Sequence, residues 1–347
     1  MARRLSRVVH AGPVSIGGGN PVVVQTMTKT DTRDVAATVA QIRDLEDRGC
    51  ELVRLAVKDM AAAAALKSIR AEVSVPLVAD IHYDPRLALA SIEAGVSKIR
   101  LNPSNIRDSG AVRDVAAAAK AAGIPIRVGA NLGSMDSALE PSARAAALAD
   151  EALHETELLE QADFHDIVVS VKSSNVREMV EAVRIVAAST DYPLHLGVTE
   201  AGPLRQSLIK SSAGMGALLL DGIGDTIRYS ISGSPVWEVD AAWTLLAQLG
   251  LRVHGAEIVS CPTCGRCEVA DMLDLVNELE RRLGEIRKPV TVALMGCVVN
   301  GIGEGKVADV GIACGRNAGV LFVRGKPVRN VAPAEFIDTL INEANNL

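Results

Sequence analysis

From Pro21 to about Gly250, short runs of Val, Ile and Leu alternate with longer stretches in which apolar residues recur three and four positions apart. A brief apolar run bounded by turn formers reads as a buried strand, and the three-and-four spacing reads as an amphipathic helix. Eight such pairs follow one another. The strands read as VVVQT (22–26), ELVRLAV (51–57), PLVADI (76–81), SKIRLN (97–102), PIRVGAN (125–131), DIVVSVK (166–172), PLHLGVTE (193–200) and TIRYSIS (226–232). Helical segments such as DVAATVAQIRDLEDRG and PRLALASIEAG lie between them and stop at glycine. Strict alternation over ~250 residues predicts a parallel sheet with helical crossovers, and eight repeats is the number that closes a (β/α)8 TIM barrel. An open doubly wound sheet is the alternative, but no GxGxxG follows the first strand. GGG (17–19) precedes that strand, and NGIGEGK (300–306) lacks the spacing and Ser/Thr of a phosphate loop, so both read as turns.

After Leu251 the rhythm changes. A strand AEIVS runs into a cysteine cluster, followed by a charged amphipathic helix (DMLDLVNELERRLGEI) and a strand PVTVAL that opens into MGCVVNGIGEG. Two more strands, ADVGIA and GVLFV, with a turn GKPV, precede a last helix, PAEFIDTLINEANN. The expected organisation is a barrel over 1–252 and a smaller α+β domain over 253–347.

Composition narrows the function. Hydrophobic residues make up 48% and charged residues 22%, as in a water-soluble globular protein, while aromatics at 2% leave Ala, Val, Leu and Ile to fill the interior. A net charge of -6 and a pI near 5.6 argue against nucleic-acid binding through counterion release. The first twenty residues carry positive charge without a continuous apolar segment, and no apolar run reaches the length of a membrane span, so a cytoplasmic location is expected. Six cysteines, four of them between 261 and 297, do not read as a secreted disulfide framework but as ligands.

A barrel carries its active site at the C-terminal ends of its strands. There, strand two offers Arg54, strand four Arg100 and Asn102, strand five Arg127 and Asn131, strand six Lys172, and strand eight Arg228 and Ser230. An unpaired charge inside an apolar strand costs several kcal/mol if buried, so these cations need partners. Salt bridges with Asp80 and Glu200 are one answer. Five cations converging on two carboxylates favour a site for a multiply charged anion, most simply a diphosphate, whose oxygens match arginine forks. Asp80, His82 and Glu200 are then candidates for proton transfer, and His195, inside LHLG, reads as a satisfied core residue.

SCPTCGRC places Cys261, Cys264 and Cys267 two residues apart, and Cys297 supplies a fourth thiol. Such a set binds zinc or an iron-sulfur cluster. The glycine-rich loop around Cys297 offers backbone amides to sulfides, and Glu304 offers an exchangeable oxygen ligand, which favours iron and sulfur. Cys50 and Cys314 read as buried small residues.

The combination of IGGGNPVVVQTMTKTDTRD, VADIHYDPRLAL, KIRLNPSNI, FHDIVVSVKSSN, LHLGVTEAG, GDTIRYSI, SCPTCGRC and MGCVVNGIGEG closely resembles the bacterial 4-hydroxy-3-methylbut-2-enyl diphosphate synthases, over nearly the whole chain. The resemblance implies reductive opening and dehydroxylation of 2-C-methyl-D-erythritol 2,4-cyclodiphosphate, with two electrons delivered through a [4Fe-4S] cluster. It also implies that Cys261, Cys264, Cys297 and Glu304 hold the cluster. Cys267 then stands spare, where the family usually has threonine, and Ile302 stands where proline is usual. Arg54, Arg100, Asn102, Arg127, Asn131, Lys172, Thr199, Arg228 and Ser230 are implied as substrate contacts, with Asp80, His82 and Glu200 nearby; of the acids, Glu200 is the expected proton donor to the departing hydroxyl. The implied partners are a flavodoxin or ferredoxin donor and a second copy of the chain in a head-to-tail homodimer. Two rival readings rest on the residues alone. Lys172 suits a Schiff-base aldolase with a zinc-stapled small domain, and a cluster-bearing redox sensor explains the thiols but leaves the cations without a role.

Overall fold

The computed structural model describes residues 3–103, 106, 109–131, 140–297, 303 and 307–347. The chain divides into two compact units, Met1–Arg252 and Val253–Leu347.

The first unit opens with an antiparallel hairpin, β1 (Val9–Ala11) and β2 (Val14–Ile16). Eight parallel strands follow: β3 (Val23–Met27), β4 (Leu52–Ala56), β5 (Leu77–Asp80), β6 (Lys98–Arg100), β7 (Ile126–Val128), β8 (Ile167–Ser170), β9 (Leu194–Leu196) and β10 (Thr226–Ile227). They close into a barrel in which β10 pairs with both β9 and β3. The intervening helices are α1 (Val35–Asp47), α2 (Met60–Glu72), α3 (Pro85–Glu93), α4 (Ser109–Ala122), α5 (Pro141–Glu160), α6 (Val176–Ser189), α7 (Leu204–Leu220) and α8 (Pro235–Gln248). Their starts are written into the sequence: the side chains of Asp34, Asp59, Asp84, Asn175 and Ser234 each accept a hydrogen bond from a backbone N–H in the first turn.

Alternation along the strands sorts side chains to two faces. Val24, Val53, Leu55, Leu77, Ala79, Ile99, Ile126, Val128, Ile167, Val169, Leu194, Leu196 and Ile227 join the core between strands and helices. Their neighbours face inward. At the N-terminal end of the lumen, Val23, Leu52, Val78 and Val168 pack against Val9, Ala11 and Ile16 of the hairpin, which plugs that end with apolar side chains. The hairpin falls outside the sequence-level strand assignment. The other end is open to chemistry.

The strands are shorter than their apolar runs suggest. Asn102, Asn131, Lys172, Thr199, Arg228 and Ser230 therefore lie just past the strand ends, in the loops that lead to the helices. The second unit holds a five-stranded sheet, β11 (Ala256–Ser260), β12 (Val290–Met295), β13 (Val310–Ala313), β14 (Gly319–Val323) and β15 (Lys326–Val331), with α9 (Met272–Leu283) and α10 (Phe336–Asn346). β11, β12 and β13 run parallel and β14 and β15 antiparallel. The segment expected as a turn before the last helix is in fact the start of β15, a strand exposed along most of its length.

Candidate active site and thiol centre

The cations of the sequence census converge. Arg54 Nη2 lies 3.2 Å from Asp80 Oδ2, Arg100 Nε lies 3.8 Å from Asp80 Oδ1, and His82 Nε2 lies 3.2 Å from Asp80 Oδ2. Arg100 Nη1 in turn lies 3.2 Å from His82 Nδ1. Arg127, wholly inside the lumen, donates from Nη1 to Ser170 Oγ at 2.6 Å, and its Nε has no partner. Lys172 is buried, joined to Asn131 by an isolated bridge between the ends of their strands.

Electrostatics record the crowding. Burial, then the fields of Arg228 and Arg100, pull the Arg54 guanidinium down to about 10, against the attraction of Asp80. Lys172 falls well below the ordinary lysine range, first through burial and then through Arg127, Arg54, Arg228 and Arg100. Burial alone would raise the Asp80 carboxyl, but Arg54, the His82 hydrogen bond and Arg100 hold it well below the usual carboxylate range. These cations repel one another without a bound anion.

Of the two acids offered as salt-bridge partners in the alternative reading, Asp80 pairs with the arginines and, among the described residues, Glu200 does not. Glu200 is exposed, with its backbone in the left-handed region at φ +50°. Glu238 takes the place instead, from the first turn of α8. Arg228 binds it through Nε at 3.0 Å and Nη2 at 3.2 Å, Lys29 Nζ lies 3.0 Å away, and Thr26 Oγ1 and the Ile231 N–H donate to it. Glu238 and Lys29 were absent from the sequence census. The available signal was a lone acid on the apolar face of PVWEVDAAW. His195 differs from expectation too: its Nδ1 meets Thr226 Oγ1 at 2.6 Å, but its buried Nε2 has no partner.

Two glycines make room at the mouth. A Cβ at Gly129 would fall 1.8 Å from the Ser170 carbonyl, and one at Gly197 would lie 2.7 Å from the Arg228 carbonyl and 3.6 Å from Lys172 Nζ. Asn102, Asn131, Thr199 and Ser230 stand partly exposed past the strand ends. Among the described residues, one end of the barrel in the first unit thus gathers Arg54, Arg100, Arg127, Lys172, Arg228 and Lys29, two buried acids and a ring of neutral polar groups.

In the second unit, β11 and β12 run side by side with Ser260 opposite Leu294, so Cys261 and Cys297 emerge from neighbouring strand ends. The Gly296 N–H donates to Cys261 Sγ at 3.2 Å, and a Cβ at Gly296 would meet Cys267 Sγ at 2.5 Å and Cys261 Sγ at 3.2 Å. The loop is held in place by Cys267 N–H to the Cys264 carbonyl and Glu268 N–H to the Gly296 carbonyl, both 2.8 Å. Cys264 is exposed, and hydrogen bonds from Arg266 lower its thiol; the same arginine feels the charge of Cys297. Among the described residues no three His, Cys, Asp or Glu side chains already stand as a ready-made metal site. The donors nonetheless suit a soft-metal cluster: thiols from two strand ends, a glycine that leaves space between them and no oxidised pair among them. Glu304 lies outside the described residues. Cys50 and Cys314 are buried as expected, and burial pushes each thiol up to about 12.

Known families account for both units. Residues 6–243 match the GcpE TIM-barrel domain and residues 257–346 the GcpE protein C-terminal domain. The chain belongs to the GcpE family. Among its relatives, a 4-hydroxy-3-methylbut-2-en-1-yl diphosphate synthase (flavodoxin) of Thermodesulfovibrio yellowstonii is 48% identical over 346 residues, covering 98% of each chain. The enzyme of the same name from Nitratidesulfovibrio vulgaris is 52% identical over 334 residues, 95% of this chain and 86% of that one. Two solved structures are similar over about 70% of this chain. A dihydropteroate synthase of Yersinia pestis aligns at a TM-score of 0.52 with 17% identity, over 70% of this chain and 98% of its own. A 3-dehydroquinate dehydratase of Geobacillus kaustophilus gives 0.52 with 15% identity over 72% and 98%. These two speak only for the GcpE barrel's fold. Among the described residues no helix is long and apolar enough to cross a membrane.

Proposed function

We propose that this chain is a 4-hydroxy-3-methylbut-2-enyl diphosphate synthase: it opens 2-C-methyl-D-erythritol 2,4-cyclodiphosphate reductively and expels one hydroxyl as water, at the cost of two electrons. The observation that carries the reading is the excess of cations at one end of the barrel, where, among the described residues, Arg54, Arg100, Arg127, Lys172 and Arg228 gather around two buried acids, Asp80 and Glu238. A diphosphate supplies the missing negative charge in the geometry that guanidinium forks accept.

In this reading the cations bind and orient the two phosphates, while Asn102, Asn131, Thr199 and Ser230 fix the carbon skeleton by hydrogen bonds. Asp80 holds the His82 ring and the Arg54 and Arg100 forks in register for the substrate. Glu200, exposed at the strand end, delivers the proton that lets the hydroxyl leave as water. Cys261, Cys264 and Cys297, with Glu304, would hold a [4Fe-4S] cluster, which supplies electrons to the substrate one at a time. The electrons come from a flavodoxin or ferredoxin, and the resemblance that names them also implies a head-to-tail homodimer in a cytoplasmic enzyme.

Iron and acid-labile sulfide, measured on protein purified without oxygen, test the reading. About four of each per chain is the expected result for a cubane cluster; zinc that persists after anaerobic expression in ample iron would overturn it. The low proton affinity of Lys172 also suits an aldolase lysine. Borohydride trapping with a ketose phosphate separates the two, and no label on Lys172 is expected.

A further inference from the structure

Beneath the arginines the barrel lumen is not the apolar packing that usually fills such a core. Level residues in a tilted barrel come from alternate strands. Read this way, the pairing registers set Leu52, Lys98, Val168 and Thr226 at one level and Gln25, Val78, Arg127 and His195 at the next one up. Lys98 therefore rises from the level of the apolar plug toward the cationic site. It is 0% exposed, and its Nζ has no hydrogen-bond partner. Gln25, 1% exposed, has neither side-chain atom satisfied, and the buried His195 Nε2 is also unpartnered. Orphan donors and acceptors of this kind are rare in a folded core and call for a reason.

The groups that face Lys98 are mainly cationic. Arg127 of β7 and Arg54 of β4 both disfavour a charge on it. His195 of β9 feels Lys98 in turn, together with Lys172 beyond β8. Arg100 on its own strand and Arg228 beyond β10 add to the positive field of this lumen. The two buried acids at this end are both engaged, Asp80 of β5 by Arg54, Arg100 and His82 and Glu238 of α8 by Arg228 and Lys29. Gln25, Ser170 and Thr226, from β3, β8 and β10, are neutral. Among the described residues no carboxylate pairs with Lys98. A buried amine without a counter-ion sheds its proton. A dianion bound by the arginines above would supply that counter-ion.

We propose that Lys98 is a positioning residue of the anion site, uncharged in the free protein and protonated when a diphosphate binds above it, so that a proton enters the barrel with the substrate. The inference rests on the anion-binding reading of the mouth. It gives the deep lysine a function distinct from that of the cations above it, which hold the phosphates directly. Lys98 tunes the strength of that grip with pH.

The test is calorimetric titration of inorganic diphosphate into the full-length protein, in two buffers of different ionisation heat at one pH, for the wild type and Lys98→Met. The wild type is expected to take up about one more proton per diphosphate than the variant. Across the window between the free and bound titration of Lys98, wild-type affinity should fall about tenfold more per pH unit than that of the variant, the slope of one linked proton. The titration of the diphosphate itself is common to both proteins and cancels in the comparison. Lys98→Met should also melt higher than the wild type, because an unbranched apolar chain replaces an orphan amine. If that variant does not fold, Lys98→Gln gives the same proton count without a titrating group. Equal proton uptake in wild type and variant, with diphosphate still bound, would overturn the proposal while leaving the anion site intact. No binding of diphosphate by the wild type would remove the anion reading and this inference with it.

Discussion

Three side chains crowd Asp80: Arg54 and His82 share Oδ2 at 3.2 Å, and Arg100 approaches Oδ1 at 3.8 Å. Asp80→Asn would leave the buried forks uncompensated, and removal of one partner from a buried pair costs about 3–5 kcal/mol. The expected outcome is a large fall in melting temperature, partly restored by millimolar inorganic diphosphate; no restoration would mean that the anion does not sit among these arginines. The sign of the pH dependence follows from the same contacts. The folded Asp80 carboxyl titrates below its unfolded value, so its stabilisation is complete above the ordinary carboxylate range and is lost as pH falls through and below it. Denaturant midpoints of Asp80→Asn should accordingly vary less than those of the wild type between pH 5 and pH 3, a window set by about pH 4 for a free aspartate. Glu200 belongs to this scale as well. If it delivers the proton, Glu200→Gln lowers kcat by about 10²–10⁴-fold with little change in KM, and an unchanged kcat would remove it from the chemistry. At this scale the sequence was most legible for the cations, because an arginine inside a Val/Leu strand is conspicuous. It was least legible for Glu238, since a carboxylate contributed by a helix from outside the barrel leaves no trace in strand alternation.

The closure of the barrel is an element-scale problem. β10 is two residues long and pairs with β3 through only Thr226–Val23 and Ile227–Val24, so backbone hydrogen bonds alone make a short seam. Glu238 reinforces it: from α8 it accepts from Thr26 on β3 and from the Ile231 N–H beyond β10, and it pairs with Arg228 and Lys29. Glu238→Ala should destabilise the protein by about 3–5 kcal/mol. It should also speed hydrogen exchange at Val24, Ile227 and Arg228 more than at the β5 and β6 amides across the barrel; uniform acceleration would deny the seam a special part. Alternating runs of two periods predicted the eight strands and their order, because burial on both faces leaves unbroken Val/Ile/Leu stretches and aspartate, asparagine or serine caps mark the helix starts. The strand ends were not legible. A run such as DIVVSVK stays apolar past Ser170, where pairing as a regular strand stops and the chain turns to present Lys172. The N-terminal hairpin was missed for a related reason: VHA and VSI are too short to register as strands until the barrel end they cover exists.

At the scale of the whole chain, each compact unit has its own core: one between barrel and helices, the other around Leu279, Leu294, Ile312, Leu321, Phe336 and Leu340. Units with separate cores melt as separate cooperative blocks, and whatever binds the folded form of one stabilises that block by mass action. The two ligands of the proposed reaction are thereby assigned to different blocks. A diphosphate meets the arginines of the first unit, and iron with sulfide meets the thiols of the second, where the metal's binding energy becomes folding energy. Calorimetry on the intact chain should therefore show two transitions under anaerobic conditions. Inorganic diphosphate should raise one of them, and removal of iron by a chelator should lower the other without moving the first. The thiol unit is the more dependent of the two, because its sheet ends in an exposed β15 and its cysteine loop is held by a few backbone hydrogen bonds. A single transition that both ligands shift equally would mean that the units unfold as one body. A chelator that lowers the diphosphate-sensitive transition alone would place the metal with the arginines, and the division of labour between barrel and thiols would have to be abandoned.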